Sequence, residues 1–110
     1  MKVFAQTLNL KDDPEVIEKY KVYHSDVWPE VTSALKEVGI LEMKIFLLGR
    51  RLFMYMTTTN EFVPEIDLPK YLTLDPRCQE WEDLMGEFQE PVKDAKPGEK
   101  WAMMEQVFDL

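Results

Sequence analysis

The side chains best suited to chemistry lie in one segment, residues 18–31, which reads EKYKVYHSDVWPEV. It contains the only histidine, His24, four residues after Tyr20 and four before Trp28. Side chains four apart on a helix share one face, so the phenol of Tyr20 and the imidazole of His24 could meet one small molecule. Because imidazole exchanges protons near neutral pH, the pair indicates proton transfer. The ordinary alternative is a histidine that ends a helix by binding a carbonyl.

The residue inventory excludes several common kinds of site. The four glycines are isolated from one another, so no glycine-rich phosphate loop is present. One histidine and one cysteine, Cys78, cannot supply an ordinary zinc site. Glu80, Glu82 and Asp83 are most simply the solvated face of a helix rather than a calcium or magnesium site. No metal and no organic cofactor is predicted.

The remaining candidates form a neutral site of the kind that suits a sugar. Tyrosine and tryptophan present flat apolar faces to the C–H groups of a pyranose, while His24 and Tyr20 can exchange hydrogen bonds with its hydroxyls. Trp81 is the natural stacking residue. The alternative for Trp81 is an ordinary place in the hydrophobic core.

Composition favours one compact domain over residues 1–110. The chain is 45% hydrophobic and 31% charged, and its length suffices for one core but not for two. A net charge of -8 argues against nucleic acid and anionic membrane surfaces as partners. A lone cysteine suits a reducing compartment, and the N-terminal MKVFAQTLNL lacks the continuous apolar region of a secretory signal. We therefore expect a cytoplasmic protein with no membrane span.

The N-terminal half predicts a strand, two helical segments and a hairpin. Alternation over residues 2–8 predicts a strand with Phe4, Gln6 and Leu8 on one face. Asp13 before Pro14 is a predicted N-cap for a helix running to about His24, and Pro29 suits the start of a second helical segment that ends at Gly39. Apolar runs at 41–48 and 52–57, joined by residues 49–51, predict a β-hairpin.

The C-terminal half is less regular in sequence. Residues 58–74 contain two prolines without clear periodicity, which predicts an irregular wall or lid over a ligand, or else a disordered segment. Asp75 and Pro76 repeat the helix-start pattern. The helix that follows should carry Trp81 on its apolar face and stop at Pro91. Residues 101–108 are predicted to form a final strand.

This order of elements indicates an α+β fold of the ferredoxin-like, split βαβ type with an antiparallel sheet. Helices on one face leave the other face of such a sheet uncovered. Two sheets packed face to face would cover both, so a homodimer, a dimeric α+β barrel, is expected.

Several short motifs, in this order along the chain, resemble those of the L-rhamnose mutarotase family almost from end to end. They are EKYKVYH at residues 18–24, VWPEV at 27–31, LKEVG at 35–39, CQEWEDLM at 78–85 and QVFDL at 106–110. The resemblance implies the same fold, a homodimer and a monosaccharide substrate. It implies a mutarotase that interconverts α and β anomers of a 6-deoxy aldose, with L-rhamnose first and L-fucose next.

The resemblance also implies roles for individual residues. His24 corresponds to the family's proton donor and Tyr20 to its sugar-binding tyrosine. The family's tandem tryptophans correspond to Trp81 and Glu82, and a substrate-contacting tyrosine corresponds to Met43. A carboxylate and a thioether thus stand where the family has an aromatic ring and a phenol. The irregular stretch before Asp75 also looks longer than the family's usual connection.

Mutarotation requires only two proton transfers from such a site. One proton leaves the anomeric hydroxyl, one reaches the ring oxygen, and reclosure on the other face reverses both transfers. Two alternatives stay open: a non-catalytic sugar-binding or interaction module on this fold, and a dimeric α+β barrel with other chemistry, such as a monooxygenase-like reaction on an apolar substrate.

Overall fold

The computed structural model describes all 110 residues and contains four helices and five strands. In chain order they are β1 Lys2–Leu10, α1 Pro14–His24, α2 Pro29–Glu37, β2 Ile40–Leu48, β3 Arg51–Thr58, α3 Pro64–Thr73, α4 Pro76–Gly86, β4 Gln89–Glu90 and β5 Ala102–Met103. None of the helices has both the length and the apolar character needed to cross a membrane.

The strands form one antiparallel sheet in the order β2-β3-β1-β4, with β5 also paired to β1. The central pair is β1 with β3, in register from Lys2 opposite Thr58 to Asn9 opposite Arg51. The helices follow β1 and β3, which gives the expected ferredoxin-like α+β arrangement. Each of the two helices of that arrangement is divided here, into α1 and α2 and into α3 and α4.

Asp-Pro pairs start two of the helices as the sequence predicts. The Asp13 carboxylate accepts a hydrogen bond from the Glu15 N–H at 2.9 Å, and the Asp75 carboxylate accepts one from the Arg77 N–H at 2.8 Å. Both satisfy a donor that the first helical turn leaves free. The break between α1 and α2 lies before Pro29, because a proline disfavours helical angles at the residue before it.

The two faces of the sheet differ, as the alternation in β1 predicts. Gln6, Leu8 and Leu10 are buried, whereas Val3 is exposed. The core lies between this inner face and the helices, and its most completely buried side chains include Leu8, Leu10, Val31, Leu52, Met56, Phe62 and Cys78.

The prediction of an irregular segment over residues 58–74 is wrong, because α3 occupies Pro64–Thr73. Pro64 stands in the first turn, where its missing N–H costs no hydrogen bond. The Asp67 carboxylate reaches back to accept a hydrogen bond from the Val63 N–H at 2.7 Å. Pro69 lies inside the helix on an exposed position. Two prolines without clear periodicity predict an irregular segment, whereas in the structure Pro64 begins the helix.

Two further boundaries differ from expectation. Helix α4 ends at Gly86, not at Pro91, because the chain turns there to pair residues 89 and 90 with β1. The predicted strand over 101–108 is only the pair 102–103. Beyond it, the Met104 N–H donates to the Ala5 carbonyl at 2.9 Å, and the residues after Met104 are exposed and make no ladder with the sheet.

The outer face of the sheet carries apolar side chains that no element of the chain covers. Phe46 is 57% exposed and lies beside Phe53, with 6.2 Å between the ring centroids. Leu48 and Val3 are exposed on the same face, and the C-terminal residues Val107 and Phe108 are also exposed. This face is the part of the molecule best suited to contact another protein surface.

We expect Asp75→Ala to lower the free energy of unfolding by about 1 kcal/mol, because the first turn of α4 loses its side-chain cap. Chemical denaturation followed by circular dichroism measures this. Asp75→Asn is the matched control and should retain nearly all of the stability, since its amide oxygen can accept the same hydrogen bond. Equal stability of the alanine variant and the parent chain would contradict the capping role.

Candidate active site

A cavity of about 640 Å³ opens between the helices and the inner face of the sheet. Its walls are mostly hydrophobic. All five residues that the sequence indicates for the site line it: Tyr20, His24, Met43, Trp81 and Glu82. They come from α1, β2 and α4, so the fold brings together residues that are up to 62 positions apart in sequence.

His24 and Tyr20 form a stacked pair at the end of α1. Their ring centroids are 4.1 Å apart with an angle of 28° between the planes. His24 Nδ1 lies 2.9 Å from the carbonyl oxygen of Tyr20. Since a carbonyl can only accept, we assign the proton to Nδ1, and the neutral ring then keeps an unshared electron pair on Nε2. The histidine thus binds a helix-end carbonyl and still has one nitrogen without a protein partner.

Trp81 packs edge-on against the imidazole. The two ring centroids are 5.3 Å apart, and the Trp28 ring centroid lies 5.1 Å from that of Trp81. The Arg77 guanidinium covers Trp28 at 3.7 Å from the ring centroid. Trp81 is only 7% exposed, so it belongs to the core and to the cavity wall at once. Its ring restricts how the imidazole can rotate.

Burial sets the protonation of the stacked pair. It lowers the pKa of His24 below the usual 6.5, an effect larger than the opposing one of the hydrogen bond to the Tyr20 carbonyl. It raises the pKa of Tyr20 to about 12, against the opposing effect of a side-chain hydrogen bond with Gln89. At neutral pH the imidazole is therefore an acceptor at Nε2 and the phenol is a protonated donor.

Met43 and Glu82 line the cavity from the sheet and from α4, respectively. Met43 is half-buried on β2 beside Met56 of β3. Glu82 is also half-buried, and its Oε1 lies 3.3 Å from Lys100 Nζ. Its neighbours Glu80 and Asp83 are exposed and bind side chains on the outer side of α4. The solvated helix face that the sequence predicts therefore holds for those two carboxylates and not for Glu82.

Several lining residues were missed by the sequence reasoning. Gln6 is 4% exposed and lines the cavity. Tyr71 of α3 lines another wall. Gln89 and Trp101 also line the cavity. Gln6 could have been identified from the sequence, because it is a polar residue on the apolar face of β1. No local sequence pattern identifies Tyr71, Gln89 or Trp101 as cavity residues.

A family model described as L-rhamnose mutarotase matches residues 3–110. The chain belongs to this family. Members of the L-rhamnose mutarotase family interconvert the anomers of sugars and are isomerases. The match spans nearly the whole chain, so the cavity residues, the stacked pair and all of the sheet except Lys2 lie within it.

Two relatives and one solved structure are similar to nearly the whole chain. The chain is 48% identical to a UPF0734 protein of Dictyostelium discoideum, over 99% of this chain and 90% of that protein. It is 39% identical to an L-fucose mutarotase of Xanthomonas campestris, over 100% of this chain and 89% of that protein. The crystal structure of an L-rhamnose mutarotase from Formosa agariphila superposes with a TM-score of 0.71 at 21% identity, covering 100% of this chain and 99% of that one. At that identity the superposition supports the fold alone.

Because the chain has one histidine, its protonation can be followed directly. We expect the ring-proton resonances of His24 to titrate in NMR spectra with a pKa below 6.5, since burial disfavours the imidazolium. The ¹⁵N shifts should report a proton on Nδ1. Trp81→Ala is the control, because exposing the ring should move the pKa back toward 6.5. A pKa above 6.5 in the parent chain would contradict the assigned environment.

Proposed function

We propose that this protein interconverts the α and β anomers of a 6-deoxy aldose, L-rhamnose or L-fucose, by general acid–base catalysis at His24. One observation carries the proposal: the His24 imidazole, bound through Nδ1 to a backbone carbonyl and stacked on Tyr20, lines a mostly apolar cavity with Nε2 free of protein partners. Such a nitrogen can take a proton at neutral pH without help from a metal.

In the proposed reaction His24 first accepts a proton from the sugar and then returns it to another oxygen of the sugar. Nε2 of His24 takes the proton from the anomeric hydroxyl as the bond between the anomeric carbon and the ring oxygen breaks. The imidazolium then returns that proton to the former ring oxygen, which gives the open aldehyde. Rotation about the neighbouring C–C bond and closure on the other face reverse both transfers. Positioned acid–base help of this kind is typically worth about 10² to 10⁴ in rate.

The other predicted site residues would bind the sugar. Tyr20 is protonated and can donate a hydrogen bond to a sugar oxygen, while Trp81 gives an apolar surface beside the imidazole. Glu82 offers a carboxylate acceptor and Met43 adds bulk without a hydroxyl. The 39% identity to an L-fucose mutarotase supports testing L-fucose on equal terms with L-rhamnose.

The deciding experiment is NMR magnetisation exchange between the α and β anomers of L-rhamnose, L-fucose and D-glucose, with and without the protein. Faster exchange of a 6-deoxy sugar, with little effect on D-glucose, supports the proposal. A sugar that binds tightly without faster exchange would favour a sugar-binding module. Indifference to all three would reject the proposed substrate class.

We expect His24→Ala to reduce the accelerated exchange rate by at least about tenfold, because the group that moves the proton is removed. Circular dichroism should show an unchanged fold. Val22→Ala is the matched control, since Val22 lies on the same helix but is 60% exposed and outside the cavity. Full activity of the alanine variant at position 24 would remove His24 from the mechanism.

We also propose that two copies pack through the outer faces of their sheets. Phe46, Leu48 and Val3 form an apolar surface there that water would otherwise cover. A twofold axis lets each copy present the same surface to the other. The free thiol of Cys78 is buried, and it supports a reducing compartment such as the cytoplasm.

Phe46→Glu tests this arrangement, because a charge in the centre of an apolar interface is costly to desolvate. Light scattering after gel filtration should give a dimer for the parent chain and a monomer for this variant at the same concentration. Val22→Glu adds the same charge on an exposed apolar position of α1 and should stay dimeric. A monomeric parent chain would contradict the proposed packing.

A further inference from the structure

Trp101 is an aromatic wall of the cavity that comes from a loop rather than from a helix. It precedes β5 and lines the same cavity as His24 and Trp81. Its ring is half-buried and packs against the hydrophobic core. An indole in this position offers a flat apolar face to whatever occupies the cavity.

The backbone on both sides of Trp101 is held. On the N-terminal side, the Glu99 N–H donates to the Lys96 carbonyl at 2.9 Å, and the Glu99 carboxylate accepts from the Lys96 N–H at 3.0 Å. Gly98 supplies the positive φ of +80° in this turn. On the C-terminal side, Ala102 and Met103 pair with β1. The indole is thus carried between a closed turn and a strand.

A side-chain contact ties this loop to α4. Lys100 Nζ lies 3.3 Å from Glu82 Oε1, and Glu82 itself lines the cavity. Lysine reaches this carboxylate over Gly86, where an added Cβ would come within 3.2 Å of Nζ. The ion pair therefore joins the residue next to Trp101 to the helix that carries Trp81. It also places a positive charge beside Glu82, the one carboxylate on the cavity wall.

We propose that Trp101 contacts the sugar and that the ion pair between Lys100 and Glu82 holds the Trp101 indole in position at the cavity. The inference rests on the proposed function for the class of ligand, a neutral monosaccharide with an apolar C–H face. In this arrangement Trp81 lies beside the imidazole and Trp101 covers the sugar from the loop. Lys100 is a positioning residue, because it acts through Trp101 and Glu82.

The test compares dissociation constants for L-rhamnose and L-fucose, measured by NMR titration, with the kcat and KM for anomer exchange. Trp101→Ala should raise the dissociation constant and KM by about tenfold through loss of the aromatic face, with little change in kcat. Trp101→Phe should retain most of the affinity. In the parent chain, the indole N–H resonance of Trp101, assigned with the phenylalanine variant, should shift on sugar binding.

Three lysine variants test the positioning role. Lys100→Met should weaken sugar binding by about threefold, the scale of a partly exposed ion pair, and the difference from the parent chain should shrink at high salt. Lys100→Arg should restore binding. Lys93→Met is the matched control, since Lys93 is exposed in the same loop and makes no ion pair. Equal losses in Lys93→Met and Lys100→Met would overturn the positioning role.

The outcomes separate this inference from the proposed function. Unchanged affinity in a folded Trp101→Ala variant, or an indole resonance that does not move at saturating sugar, overturns the inference while exchange catalysis stands. Sugar binding that depends on Trp101 without faster exchange supports the inference and rejects catalysis. No binding of either sugar by the parent chain rejects both. If the alanine variant does not fold, the indole shift in the parent chain decides.

Discussion

The pairing of β1 with β3 along nearly its whole length is the constraint on which the rest of the structure depends. It fixes the register of the central strands, and the register decides which side chains face the helices. Gln6, Met54 and Met56 turn inward and line the cavity, while Phe53 and Tyr55 turn outward. Because side chains alternate along a strand, a slip of one residue would exchange the two sets.

The sequence predicts the first part of the fold better than the last. Asp-Pro pairs, the break before Pro29 and the alternation in β1 are local features, and each acts through a local cause such as a cap or a fixed φ. Helix α3 was not predicted because proline is favoured in the first turn of a helix but disfavoured in its interior, and the sequence alone does not say which position a proline occupies. The C-terminal run 101–108 has a strand-like composition, yet its pairing is settled by the available edge of the sheet and not by composition.

The candidate site was predicted in the same uneven way. Tyr20 and His24 share a helix, so their spacing alone places them together. Trp81 was indicated by its aromatic chemistry, Glu82 and Met43 only by a resemblance, and all three lie on the cavity wall. Gln89, Tyr71 and Trp101 reach the cavity only through tertiary contacts between elements that are distant in sequence. The sequence around these three residues does not show that they line the cavity, because this depends on how distant segments pack together.

One sheet separates the cavity from the uncovered apolar face, and this has a consequence for how the sequence can change over evolution. The residues of β1, β2 and β3 alternate between the inner face, which includes part of the cavity wall, and the uncovered outer face. If the proposed function and packing hold, two different selective pressures act on neighbouring positions of the same strand. Relatives that bind the same sugar but assemble differently should then differ mainly at the outer-face positions of these strands, which are every second residue. Relatives that assemble in the same way but bind different sugars should differ mainly at the inner-face positions between them.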